Sequence, residues 1–301
     1  CVYLFWGSTY LAMRYGLEAL PPFVIASTRF LISGSILLIF CAIRGIRMWP
    51  SKQEFGRLAI IGVLMLGCGN SAVLWGELYL STGLASLLVA AIPLYAALIE
   101  LFLPNDESLR ARGWVGIAVG FIGLAFLVSP ELRNSLHGNS RQFAATAVIL
   151  AGSFCWTAGS VISRRSTIKI SGFAAAGWQM LFGGIFNTGL MFAAGGYRGS
   201  HWGAEAWASI FYLVTFGSLT GYTAYIYLLK NVTVAKVTTY AYVNPAIAVV
   251  LGAIFLGERF IGVEYAGMAS ILLAVWLVTG SRLKSGDVPA EVKDIAVGRK
   301  S

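Results

Sequence analysis

Lys236, Tyr240 and Asn244 stand at i, i+4 and i+8, so a helix running through them presents an ammonium, a phenol and an amide on one face. Pro245 follows, and its missing N–H frees the carbonyl about one turn earlier for a neighbouring group, water or a substrate. Pro93, with Tyr95 close by, would do the same in an earlier run. In apolar surroundings such groups either seat a small polar molecule or hold a packed kink, and the pattern alone admits both. A carboxylate is the ligand chemistry that Lys236 and Asn244 suit.

Aromatic side chains form a second set. Trp6 and Tyr10, Trp75 and Tyr79, and Trp156 and Ser160 are i, i+4 pairs, Tyr222 and Tyr225 are an i, i+3 pair, and Trp178 stands beside Gln179. Broad apolar faces edged by an indole N–H or a hydroxyl hold amphipathic organic molecules, and they serve equally in packing one helix on another. Trp49, Trp114, Trp202 and Trp207 fall near the ends of apolar runs and read as residues of a membrane interface. Arg29 lies inside a run and, with Pro93 and Pro245, is read as structural or gating, its partner an acid or a helix-end carbonyl. Glu77 and Glu100 lie near run ends, from which their carboxylates can snorkel to the interface.

The chemistry left unsupported narrows the reading. There is no G-x-x-x-x-G-K-[ST] phosphate loop and no H-E-x-x-H metal motif. His137, His201, Asp106, Asp287 and Asp294 all fall between runs or in the tail, so the runs carry no His or Asp for acid–base or metal chemistry. Neither an enzyme nor a cofactor nor a metal is expected. Ion coupling would have to use Glu or Lys, with uncoupled export as the alternative. Cys41, Cys68 and Cys155 sit within apolar runs and read as small core residues.

The elements that must position these groups follow from composition. Of 301 residues, 57% are hydrophobic and 12% charged, and the mean hydropathy is +0.75. A soluble chain carries about a quarter charged residues, so the solvent here is largely lipid. Apolar runs broken by charge, Gly and Pro predict ten transmembrane helices near residues 1–17, 22–43, 57–79, 84–104, 113–129, 143–163, 173–195, 206–229, 233–256 and 260–280. They are too long, and too lacking in alternation, for barrel strands.

With ten spans, the side shared by both termini carries fifteen Lys and Arg, from Arg44 to Lys300, while Arg133, Arg141, Arg198 and Arg259 stand on the other. The positive-inside rule then puts both termini in the cytoplasm, and the net charge of +9 speaks to orientation rather than to nucleic acid. The opening run has no basic leader or cleavage site of a signal peptide, and residues are expected before Cys1.

The two halves resemble each other. At a shift of 150, Trp6 meets Trp156, Arg14 meets Arg164, Leu31 meets Leu181 and Gly34 meets Gly184; at 152, Gly69 meets Gly221 and Pro93 meets Pro245. Five helices per unit is an odd number, so the second unit enters the membrane from the opposite side. The fold expected is an all-α polytopic membrane protein of two inverted five-helix repeats around a central cavity, an architecture of secondary transporters. The units run over 1–130 and 143–281, with a cytoplasmic tail at 282–301.

Trp6-Gly-Ser-Thr-Tyr-Leu-Ala-Met-Arg14, then Pro21-Pro22 and Arg29-Phe30, resembles the opening of an EamA-type unit, and Phe255-Leu-Gly-Glu-Arg-Phe260 after Asn244-Pro245 resembles its end. The chain is similar over nearly its whole length to two tandem units of the drug/metabolite transporter superfamily and, among characterised members, resembles most the YddG-type amino-acid exporters. The first unit departs from the pattern at Leu103-Pro-Asn-Asp-Glu107. The resemblance implies ten helices, cytoplasmic termini and a central cavity.

The function expected is export of amino acids, aromatic and other apolar ones included, and of related small metabolites by alternating access. The alternatives are exchange of anionic metabolites such as sugar phosphates, or drug export. Substrate residues would come from both sets above, in a lipid bilayer of the cytoplasmic membrane. Gly116-xxx-Gly120 speaks for close helix packing without specifying a dimer.

Overall fold

The computed structural model describes residues 2–102, 111–136, 140–231, 237, 240–258 and 262–280. The described residues are helical throughout apart from short turns and form ten rods, with no strand among them. α1 spans Val2–Ala19 and α2 Pro22–Ile43. α3 is compound, with α-helices Lys52–Gly62 and Asn70–Gly76 joined through a π-helix Val63–Gly69. α4 comprises Thr82–Val89 and Ile92–Leu101. α5 (Ala111–Leu136), α6 (Ser140–Arg165) and α7 (Gly172–Ala193) are single helices. α8 repeats the plan of α3: Ala204–Tyr212, a π-helix Leu213–Tyr222, then Thr223–Asn231. α9 (Tyr240–Leu256) and α10 (Gly262–Gly280) complete the bundle. Lys236, residues 103–110 and residues 281–301 lie outside the described residues, as does the side chain of Glu100.

Local chemistry sets where the rods begin. Pro22 opens α2, where a missing N–H does no harm. Ser51, Ser81 and Ser171 each accept the backbone N–H three residues on, and Ser51 with Glu54 makes a reciprocal capping box. That box starts α3 at Lys52, five residues before the predicted start at 57, and draws charged residues into the rod. Pro93 lies at the start of the second half of α4, and the break at Ala90–Ala91 is the kink expected of it.

Four rods, α2, α3, α4 and α6, have by themselves the length and hydropathy of a span. The remainder are held by repeat-related pairing. α2 packs on α7 through matched contacts: a Cβ at Gly34 would press on Leu181 and the Gly177 carbonyl, and one at Gly184 on Leu31. α5 lies on α10, α1 on α8 and α9, and α6 on α3 and α4, so the pairing of one half with the other obeys the same inverted symmetry. Arg14 donates to the Glu77 carbonyl and Arg164 to the Leu229 carbonyl, one Arg per repeat closing the C-terminal end of the third or eighth rod.

The polarity is that of a protein in lipid. Ile43, Phe192, Ile254 and Trp276 are exposed, whereas Arg29, Glu77, Gln179, Asn187 and Asn244 are buried. The turns gather at two ends. At the first, carrying the α1–α2 turn, His201 N–H donates to Ala19 O. At the second, carrying the α2–α3 turn, Ser171 N–H donates to Arg47 O.

Candidate functional site

The middle of the bundle holds a cavity of about 60 Å³ lined from α1, α2, α3, α4, α6, α8 and α9, room for about four to six waters. Against it stands a cage of four aromatic rings, of which Trp6, Trp156 and Tyr240 line it and Tyr225 lies behind. Trp6 and Trp156 meet edge to face with centroids 5.4 Å apart, and both touch Tyr225, at 5.0 and 5.6 Å. Tyr240 stands edge-on to Trp6 at 4.9 Å and to Tyr225 at 5.7 Å.

Each Trp seats against the opposite repeat at matched places. The Trp6 indole N–H donates to Gly217 O at 3.0 Å, a carbonyl within the α8 π-helix. A Cβ on Gly221 would collide with that indole, and a Cβ on Gly69 would lie 3.1 Å from Trp156 Cβ. A π turn carries one extra residue, and both π turns fall where the opposite repeat's Trp needs room.

Three polar atoms in the wall have no partner within the protein. Arg29 donates through Nε to Ser218 Oγ at 2.7 Å, while its Nη1 is unpartnered. Asn70 Oδ1 and Ser153 Oγ are likewise sealed and unpartnered, and all three residues line the cavity. Unsatisfied groups of this kind are rare in native interiors and call for an explanation. Together they offer one cation, one amide acceptor and one hydroxyl beside an aromatic cage.

The sequence-predicted residues divide accordingly. Trp6, Tyr10, Trp156, Tyr222, Tyr240 and Asn244 line the cavity. With its amide turned so that nitrogen faces the carbonyls, Asn244 donates to Tyr3 O and Tyr240 O at 2.9 and 3.2 Å, tying α9 to α1. Tyr222 donates to Gln179 Oε1 at 2.8 Å. Ser160 stands behind the cage, donating to Trp156 O and sharing a 2.9 Å bond with Tyr225. Pro245 lies inside α9, one residue beyond Asn244.

Four others lie elsewhere. Trp75 and Tyr79 pack on each other, and Trp75 faces a flank groove with Phe186 and Val148. The reason is the π turn: an extra residue rotates the following face by about 100°, which brings Asn70 and Val73 to the cavity instead. Tyr95 packs on Phe154, outside the cavity. Trp178 donates to Met48 O at 2.9 Å within an aromatic cluster at the second end. Arg29 pairs with the Ser218 hydroxyl, neither an acid nor a helix-end carbonyl, and stands in the cavity wall. Glu77 does not snorkel: it is fully buried. Asn70 and Ser153 escaped the sequence reading, although Ser153 precedes Trp156 by one helical turn.

The Leu256-Gly257-Glu258 turn has a physical role. Gly257 takes the positive φ of 64° that ends α9 in a left-handed cap. Glu258 then turns back to accept Thr82 N–H at 2.7 Å and Gly83 N–H at 3.1 Å at the start of α4. At the second end Glu54 accepts Lys169 N–H from the opposite repeat.

Residues 1–129 and 144–280 match the model of the EamA-like transporter family. An uncharacterized inner membrane transporter of Escherichia coli K12, YedA, is 36% identical over 280 residues, covering 92% of this chain and 88% of that protein. An uncharacterized transporter of Archaeoglobus fulgidus is 24% identical over 92% of this chain and 96% of its own length. YoaV, an uncharacterized transporter of Bacillus subtilis, is 25% identical over 86% and 87%. A solved crystal structure shares the fold, with a TM-score of 0.67 and 19% identity over 92% of this chain and 94% of that one.

Proposed function

Since the chain belongs to the EamA-like transporter family, we propose that it exports amino acids, aromatic and other apolar ones included, and related small metabolites across the cytoplasmic membrane by alternating access. The two units at 1–130 and 143–281 rock about the cavity, both termini and the tail at 282–301 being cytoplasmic. The first end then faces outward and the second end the cytoplasm.

The observation that carries the substrate class is the trio of unpartnered atoms. A zwitterion supplies a carboxylate for Arg29 Nη1 and an ammonium for Asn70 Oδ1 and Ser153 Oγ. Its side chain then lies against Trp6, Trp156 and Tyr240. The present cavity is smaller than such a molecule, so loading requires the repeats to part. Lys236, Tyr240 and Asn244 remain assigned to the α9 side of the site, Lys236 on its sequence spacing alone.

Arg29 also favours the second reading, an exchanger of anionic metabolites. A phosphate, however, would oppose its charge to the Asn70 acceptor, which ranks that reading below. Purified protein in liposomes, loaded with a radiolabelled aromatic amino acid and challenged with amino acids, phosphorylated sugars and cationic dyes, separates these. Amino acids are expected to compete for flux; no movement of any amino acid would overturn the substrate assignment.

A further inference from the structure

Glu77 is the first residue after α3, fully buried, and neither carboxylate oxygen has a hydrogen-bond partner. Its own backbone carbonyl takes the Arg14 Nη1 donor. The groups that act on its side chain electrostatically are Arg14 of α1 and Glu258 of the α9–α10 turn, and Tyr10 of α1 is a titratable neighbour that lines the cavity. The two carboxylates stand in opposite situations. Glu258 is held by two backbone N–H groups, whereas Glu77 has none. In the same turn the Thr82 hydroxyl is also fully buried and unpartnered.

An ionised carboxylate without donors is expensive away from water, and the Glu258 anion adds to that penalty. The Arg14 cation acts the other way, but its Nη1 donates to the Glu77 backbone carbonyl and to neither carboxylate oxygen, so burial prevails. The neutral acid escapes the penalty. From this geometry we propose that Glu77 is a proton-binding site, and that proton uptake there accompanies closure of the first end. While Glu258 is docked on α4, Glu77 is dry and faces an anion, so it holds its proton on a carboxylate oxygen. When the end opens and Glu258 leaves, water reaches Glu77 and the proton passes to it. Acid on that side favours the closed end, alkali the open one. The inference rests on the alternating-access reading but on no particular substrate.

The test needs no substrate. In protein with Cys1, Cys41, Cys68 and Cys155 replaced, Met13→Cys places a thiol in the cavity wall, to be labelled by a membrane-impermeant maleimide from the first-end side over a range of pH. The parent is expected to label progressively less, relative to E77Q in the same background, as pH falls, because E77Q no longer titrates. Infrared pH-difference spectra of the otherwise unaltered protein are expected to show a protonated-carboxyl band that is lost in E77Q and that persists in E258Q but titrates there at lower pH, because the first end opens more readily and the neighbouring anion is gone. The proposal is overturned if E77Q keeps the parent's pH dependence of labelling, or if the carboxyl band survives in E77Q. Absence of amino-acid flux would refute the substrate assignment and leave both readouts intact.

Discussion

Arg29 has one bond to Ser218 and an idle Nη1, so its two roles separate by experiment. A hydrogen bond between charged groups is worth about 1.5–3 kcal/mol, or about 10- to 150-fold in affinity. R29Q should therefore raise the KM for amino acids by about that factor in liposome flux, while amino-acid amides, which have no carboxylate, change far less. An equal loss for both would leave Arg29 as a structural residue only. Asn70→Leu keeps the shape and removes the acceptor; KM is expected to rise for free amino acids and to stay level for N-acetylated ones. Arg29 stood out in the sequence as a charge inside an apolar run. Asn70 did not, because nothing in Leu66-Gly-Cys-Gly-Asn70 announces which face a π turn will present.

The π-helices of α3 and α8 occupy matching places in the two repeats, and each faces the other repeat's Trp across a glycine. Gly221→Ala is expected to push Trp6 off Gly217 O, shifting tryptophan emission and abolishing most flux. Gly69→Ala meets Trp156 less tightly and should be milder in both readouts. Gly34→Ala probes packing away from the cavity: its Cβ would lie 2.8 Å from the Gly177 carbonyl, backbone that cannot swing aside. It should lower stability by about 1–3 kcal/mol, read as a drop in the detergent melting temperature. The repeat made Trp6, Trp156, Gly34 and Gly184 legible, since shared geometry preserves their spacing. What escaped was phase within a rod. The i, i+4 spacing of Trp75 and Tyr79 holds its face only in a straight helix, and hydrophobic periodicity does not register one inserted residue. The start of α3 is hidden for a related reason: the charges at Lys52 and Glu54 resemble the end of a span, whereas the Ser51–Glu54 box begins one.

Across the whole molecule, the two ends are fastened by the same device in opposite senses. At the second end Glu54 of the first repeat accepts Lys169 N–H of the second; at the first end Glu258 of the second repeat accepts Thr82 and Gly83 N–H of the first. Alternating access requires that one fastening release while the other holds, so the balance between inward- and outward-open states depends on their relative strengths. Glutamine keeps one acceptor oxygen but loses the charge and the second acceptor. E54Q should thus favour opening at the second end and E258Q at the first. Each shift should be up to about 10- to 150-fold in the population ratio if one charge-assisted bond is lost. E258Q should be the larger, because both Glu258 oxygens bridge the repeats whereas Glu54 spends one on Ser51 N–H of its own repeat. Spin-label distances across each end, measured in both variants and in the double variant, test this directly. Opposite displacements in the single variants and partial cancellation in the double are expected; displacement of both ends in the same direction would mean that the carboxylates stabilise the fold as a whole and do not set its conformational balance.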